Sequence, residues 1–429
     1  MFQSILAYKA AFDELQEFYE VVSKLCELIN RRDSIMENIC IITKELLKTL
    51  AEMKEKDEIN PQKLLYKISR KIKGLLEEWH KDEAYEAIIA LKKLEHYILK
   101  LEETRDHFIH SLNVYLVGAI CNCICFSNLD KDKRRSLDLQ WLITSLFHDV
   151  GYIYVVLRHI SEELSLNKVL KEKDLKFDEE FLYGMYNEIT SVFGGLGGDE
   201  ASLKKLFEFL IEDYKGIDLH GLASAVLTYF YIFKDNPHAK KSNWHKDYGK
   251  KLALGLLSQF LHSIDTKTVK KLFSSTVCGC NIDEHGRISC SIDLYPVILL
   301  LIMDEICEFG RPAVVSKSDK SQPESRWVLE DIALNENNVL RLRIKHNEGG
   351  NFFEEISKKI LALAGEDKPM DNKIAIVLSN SRSRIINLGG DVKIEIMSKD
   401  SPPYSQSIIE IRFISESAIP ERQTYIAEL

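Results

Sequence analysis

The hydrophobic period changes once along this chain, and that change limits what it can fold into. Up to Arg311-Pro312 the apolar residues recur at helical spacing, and beyond the polar stretch "SKSDKSQPES" they alternate. Spacing of three and four gathers apolar side chains on one helix face; alternation gathers them on one face of a strand. The pattern predicts a mostly α fold with three parts: a helical region over residues 1–100, a second helical domain over 101–312, and an α+β domain over 313–429. A length of 429 residues fits more than one domain.

Within the first part, "IITKELLKTLAEM" carries Ile42, Leu46, Leu50 and Met53 on one face. Asn60-Pro61 then supplies a cap and a first-turn proline. The next helix repeats the pattern with Leu64, Leu65, Ile68, Ile72, Leu75 and Leu76, and a third runs from about Asp82 through Ile88, Leu91, Leu94 and Ile98. In the last part, "NVLRLRIKH" (338–346), "VKIEIMSKD" (392–400) and "SIIEIRFIS" (407–415) alternate as half-buried strands do. "KIAIVLS" (373–379) is a more continuously apolar strand, and "FFEEISKKILALAG" is a helix placed to cover the sheet.

The net charge of −9 argues against a generally basic nucleic-acid surface. The most apolar run, "LYPVILLLIM" (294–303), is too short for a membrane span and ends at Asp304. The N-terminus has neither a basic start nor a cleavage site. The nine cysteines, mostly in apolar context, suit free thiols in a reducing compartment. A cytoplasmic protein without membrane segments is expected.

The chemistry concentrates in residues 101–312, which hold nine of the twelve histidines. Leu139, Leu142, Ile143, Leu146 and Phe147 form a wide apolar stripe, and His148-Asp149 follows it directly. A carboxylate that close to a core requires a cation, a hydrogen-bond network or a metal. Asp304 poses the same demand more sharply. Val297 to Met303 are all apolar, so their helix is buried on every side, and Asp304 comes next within it. Taken alone, an Asp near a helix end is most often solvated, and a lone histidine in an apolar helix is most often a satisfied core residue. His110 in "HFIHSLNVYLVG", His220 at the start of "HGLASAVLTYFYIF" and His262 at the end of "LALGLLSQFLHSID" each fit that plain description. Together with His148, Asp149 and Asp304 they make four imidazoles and two carboxylates on five predicted helices. Such a set suits divalent Mn, Fe, Ni or Zn.

In this order, His … His-Asp … His … His … Asp, the chain resembles the HD-domain superfamily of metal-dependent phosphohydrolases. "HSLNV" matches the first metal-histidine helix and selects His110 over His107; "HDVG" matches the defining pair; "DEICEFGRP" is similar to the helix of the closing aspartate. The resemblance spans roughly residues 101–312 and implies a multi-helix HD core there. It implies that His110, His148, Asp149 and Asp304 hold a first ion and that Asp149 bridges to a second if one is present. His220 and His262 would bind that second ion or contact substrate phosphate, with His245 as a substitute for either. Asp149, His220 and His262 would stand at the chemistry. One or two ions would activate water and neutralise phosphate oxygens. Arg105 and Arg158, with Lys133, Arg134 and Arg135, are candidate cations for the substrate, although surface charges are more often simply solvated.

The expected activity is hydrolysis of phosphate esters, most readily nucleotides. Three alternatives remain open: a single-strand nuclease needing a basic channel, an HD-type di-iron oxygenase, and a non-catalytic sensor or scaffold. The flanking regions would serve regulation, partner binding or homo-oligomerisation. "FGGLGG" (193–198) lacks the context of a nucleotide fingerprint and reads as a loop or lid. Cys121 and Cys125 read as small buried hydrophobes. Cys278, Cys280, His285 and Cys290 have irregular zinc spacing, and "DEHG" between them reads as a hairpin turn.

Overall fold

The computed structural model describes residues 2–28, 34–56, 61–78, 107–125, 131–152, 220–229, 281–282, 288–291, 295–307, 327–334, 340–346, 392–398, 406–408 and 411–414. Among these the fold is mostly helical. The N-terminal helices are α1 (Phe2–Leu28), α2 (Ser34–Glu55) and α3 (Pro61–Glu78). Their buried faces follow the expected period: Leu15, Tyr19, Val22 and Cys26 on α1; Ile39, Ile42, Leu46, Leu50 and Met53 on α2; Leu64, Ile68, Ile72 and Leu75 on α3. Pro61 opens α3, where its missing N–H costs nothing. The expected third helix near residues 82–98 lies outside the described residues.

Helix α4 (His107–Cys125) is the axis of the helical core. It is apolar almost all round, and Phe108, Ile109, Leu112, Val114, Leu116, Val117, Ile120 and Cys121 are all buried. A helix without a polar face must be covered on all sides, and α4 packs against α2, α3 and the two later helices Lys131–Phe147 and Tyr295–Ile306. Tyr19 donates its hydroxyl to Asn113 Oδ1 at 3.2 Å, tying α1 to α4 through a buried polar pair.

Helix α5 (Lys131–Phe147) crosses α4 at Gly118. There the Trp141 ring lies so close to the backbone that a Cβ at 118 would overlap it. The indole Nε1 donates to the Tyr115 carbonyl at 3.0 Å. Helix α5 stops at Phe147, and a tight turn over 148–151 follows, with Val150 N–H bonded to Phe147 O and Tyr152 N–H to Asp149 O. His148 and Asp149 are therefore held by a turn pinned to the core.

Helix α6 (His220–Tyr229) packs on α5. Its Ser224 Oγ accepts the Gly151 N–H at 2.7 Å. Helix α7 (Tyr295–Ile306) packs on α4 and α5. Leu299 to Met303 are all buried, around the full helix circumference, as their unbroken apolar run requires. Among the described residues no helix is long and apolar enough to cross a membrane.

The strands are β1 (Asn281–Ile282), β2 (Ile288–Ser291), β3 (Trp327–Leu334), β4 (Leu340–His346), β5 (Val392–Ser398), β6 (Gln406–Ile408) and β7 (Ile411–Ile414). β1 and β2 pair antiparallel, as expected for a hairpin around "DEHG", and β2 pairs parallel with β7. A second sheet has the order β3-β4-β5-β6. A bulge between Leu329 and Asp331 brings Leu329, Ile332 and Leu334 into register with Ile344, Leu342 and Leu340. Without that extra residue the two apolar rows would fall out of step. The single strand expected over 407–415 is instead two strands, β6 and β7, in different sheets. The expected strand 373–379 and the "FFEEISKKILALAG" helix lie outside the described residues.

Candidate metal centre

Three elements bring four side chains to one point. Helix α4 supplies His110, the turn after α5 supplies His148 and Asp149, and the last turn of α7 supplies Asp304. One ligand atom from each lies within 4.8 Å of the other three. His110 Nε2 is 2.8 Å and His148 Nε2 3.1 Å from the same Asp304 Oδ1. His148 Nε2 is also 3.4 Å from Asp149 Oδ1, and His110 Nε2 is 3.8 Å from Asp149 Oδ2. Ligand bonds of about 2.0–2.2 Å around one ion put neighbouring ligand atoms roughly 3 Å apart, so these spacings fit.

The protonation pattern of the two histidines decides what the cluster needs. His110 Nδ1 lies 3.1 Å from the Cys307 carbonyl, and His148 Nδ1 lies 2.7 Å from the Ser145 carbonyl. A carbonyl only accepts, so both Nδ1 atoms carry the hydrogen. In neutral rings both Nε2 atoms then present lone pairs, and both lone pairs face a carboxylate oxygen. Acceptor facing acceptor at these distances requires a positive charge between them, either a proton or a metal ion. Imidazoles fixed through Nδ1–H to a carbonyl, with Nε2 turned inward, are the usual arrangement of metal-binding histidines.

Electrostatics point the same way. His148 is fully buried, and burial by itself disfavours its charged form. The Asp149 charge, the hydrogen bond and charge of Asp304 and the Ser145 carbonyl together outweigh that, and the pKa is pushed up to about 9. The pocket is thus anionic enough to hold a proton at neutral pH where a divalent ion would compete for the same place. Asp149, 5% exposed, has imidazole nitrogens around both oxygens: His107 Nδ1 at 3.0 Å, His148 Nε2 at 3.4 Å, and His110 and His220 Nε2 at 3.8 Å.

The open side of the cluster is marked by exposure. The side chains of His110 and His148 are 0% exposed, whereas Asp304 is 23%, His107 19% and His220 12% exposed. His220 opens α6, as its sequence context suggests. Its Nε2 stands on the Asp149 side of the centre, outside the four-residue cluster.

His107 is the residue that sequence reasoning passed over. The match to "HSLNV" selected His110, yet His107 lies three residues earlier on α4, and that spacing puts both on one helix face. Tyr152 was also missed: its ring stacks on His107 at 4.0 Å and on His220 at 3.9 Å between centroids. The basic cluster Lys133, Arg134 and Arg135 sits on the first turn of α5, whereas His148 follows its last. At 1.5 Å per residue their backbone positions are roughly 20 Å along the helix from His148, and the Arg134 side chain lies 3.9 Å from Asp138. Arg105, Arg158, His245 and His262 lie outside the described residues, as do Cys278, Cys280, His285 and the "FGGLGG" loop. Cys121 is buried as expected, and burial pushes its thiol up to about 12.

Comparison with known proteins finds no matching family model, no matching curated protein and no matching solved structure. The centre must therefore be judged on its own chemistry.

Proposed function

We propose that this chain is a metal-dependent hydrolase of phosphate esters, with nucleotides as the preferred class, built on an HD-type core over residues 101–312. The observation that carries the reading is the pair of inward Nε2 lone pairs on Asp304 Oδ1, with Asp149 alongside. The order of the ligands along the chain, His110, His148-Asp149, Asp304, adds the resemblance to HD phosphohydrolases.

His110, His148, Asp149 and Asp304 would hold the ion. When bound, a divalent cation such as Mn, Fe, Ni or Zn polarises a phosphoryl oxygen and lowers the pKa of water. The chain's own residues do the rest. The two buried imidazoles are locked by the Cys307 and Ser145 carbonyls, so their geometry is set before any ligand arrives. Asp149, ionised among imidazoles, accepts a proton at a carboxylate oxygen as water attacks. His220, partly exposed beside Asp149, contacts a phosphate oxygen on the open side. His262, Arg105 and Arg158 complete the substrate contacts in this reading. Residues 1–100 and an α+β domain over 313–429 act as accessory parts, and the protein works in the cytoplasm, with homo-oligomerisation as one role of those parts.

The test is a screen of the purified protein with Mn, Ni, Fe or Zn against aryl phosphates, nucleotides and single-stranded nucleic acids. The proposal expects metal-stimulated release of phosphate or nucleoside, abolished by Asp149→Ala. Turnover that ignores added metal and survives Asp149→Ala would refute it.

A further inference from the structure

His107, Tyr152 and His220 form a column of three rings beside the centre. Their planes are inclined by only 21° and 22° at each contact. Two rings stacked this closely on one ring must occupy its opposite faces. His107 and His220 are therefore separated by the thickness of Tyr152. Each nonetheless reaches Asp149, His107 Nδ1 at 3.0 Å from Oδ2 and His220 Nε2 at 3.8 Å from Oδ1.

This column bears on how Asp149 is held. Two ligand atoms on one ion are at most about 4.2 Å apart for bonds of about 2.1 Å. Imidazoles on opposite faces of Tyr152 stand roughly two stacking distances apart, well beyond that limit. They cannot converge on a common second ion next to Asp149. We infer that His107 is a positioning residue: its Nδ1–H fixes Asp149 Oδ2 and so sets the carboxylate that faces the ion. The inference rests on the metal reading above.

His107 sits on the same rigid helix as His110, and the column is pinned from the other side by Ser224 on the Gly151 N–H. Asp149 is thereby set by α4 and α6 together. Outer partners that orient a metal-binding carboxylate change metal affinity by roughly 10- to 100-fold when removed.

The experiment loads the full-length chain with Mn(II), removes excess by gel filtration, and measures Mn per chain by elemental analysis together with the electron paramagnetic resonance spectrum. The parent chain is expected to retain Mn, and its titration sets the reference affinity. His107→Phe keeps a ring against Tyr152 and removes the donor, so its Mn affinity should fall at least tenfold. His107→Asn restores an N–H near the Nδ1 position and should recover most of that loss, a rescue that a packing role alone does not produce. Equal affinity in His107→Phe and the parent chain would overturn the positioning role. No Mn at all in the parent chain would overturn the metal reading itself.

Discussion

Raising the pH should tighten metal binding far more than an ordinary histidine allows. An ion can occupy the centre only after His148 Nε2 gives up its proton, and that proton is held with a pKa of about 9. For a single competing proton, the apparent dissociation constant scales with one plus the ratio of proton concentration to the acid constant. Between pH 6 and pH 8 a pKa of about 9 gives a tightening of about 90-fold, or roughly 3 kcal/mol. At the ordinary imidazole value of about 6.5 the same interval gives only about fourfold. Titration calorimetry with Mn(II) at pH 6, 7 and 8 reads this directly. Repeating it in buffers of different ionisation enthalpy counts the protons released, and close to one per ion is expected at pH 7. An affinity change below about fivefold, or binding without proton release, would refute the argument that Asp149 and Asp304 hold a charge on His148.

The same shift has a consequence for the metal-free chain. A pKa raised from 6.5 to about 9 contributes stability that is full below pH 6.5 and is lost as pH rises through 9; urea unfolding of chelator-treated protein should weaken across that window by up to roughly 3 kcal/mol, and less so in His148→Asn. Gly118→Ala forces a methyl into the Trp141 ring and should cost about 1–3 kcal/mol, read as a lower urea midpoint. Ser224→Ala leaves the buried Gly151 N–H without its acceptor and should cost about 1–3 kcal/mol, with weaker metal binding beside the lower urea midpoint. Tyr19→Phe removes the bond to Asn113 and should cost about 1 kcal/mol with metal content unchanged.

Much of the helical core was legible because burial and period are the same statement. The α2 and α3 faces fell where spacing put them, and the unbroken apolar run of α7 required a helix buried all round. Asp304 was legible for the same reason: a carboxylate at the end of such a helix needs a partner, and it has two imidazoles. His107 was hidden because two histidines three apart share a face, and pattern matching chooses one where the helix presents both. The basic stretch before His148 shows the opposite case. Proximity in sequence becomes distance when a straight helix intervenes, and α5 carries Arg134 to the far end. The bulge in β3 and the division between β6 and β7 depend on register between distant strands, which alternation alone does not encode.

The central claim is that His110, His148, Asp149 and Asp304 together hold a divalent ion. Metal content after purification, measured on the parent chain and on Asp304→Ala, tests it most directly. The account predicts a bound ion in the parent chain and none in Asp304→Ala, because removing the shared Oδ1 takes away the oxygen that both Nε2 atoms face. A parent chain that binds no ion after incubation with Mn, Fe, Ni or Zn, or an Asp304→Ala chain that binds as tightly as the parent, would contradict it.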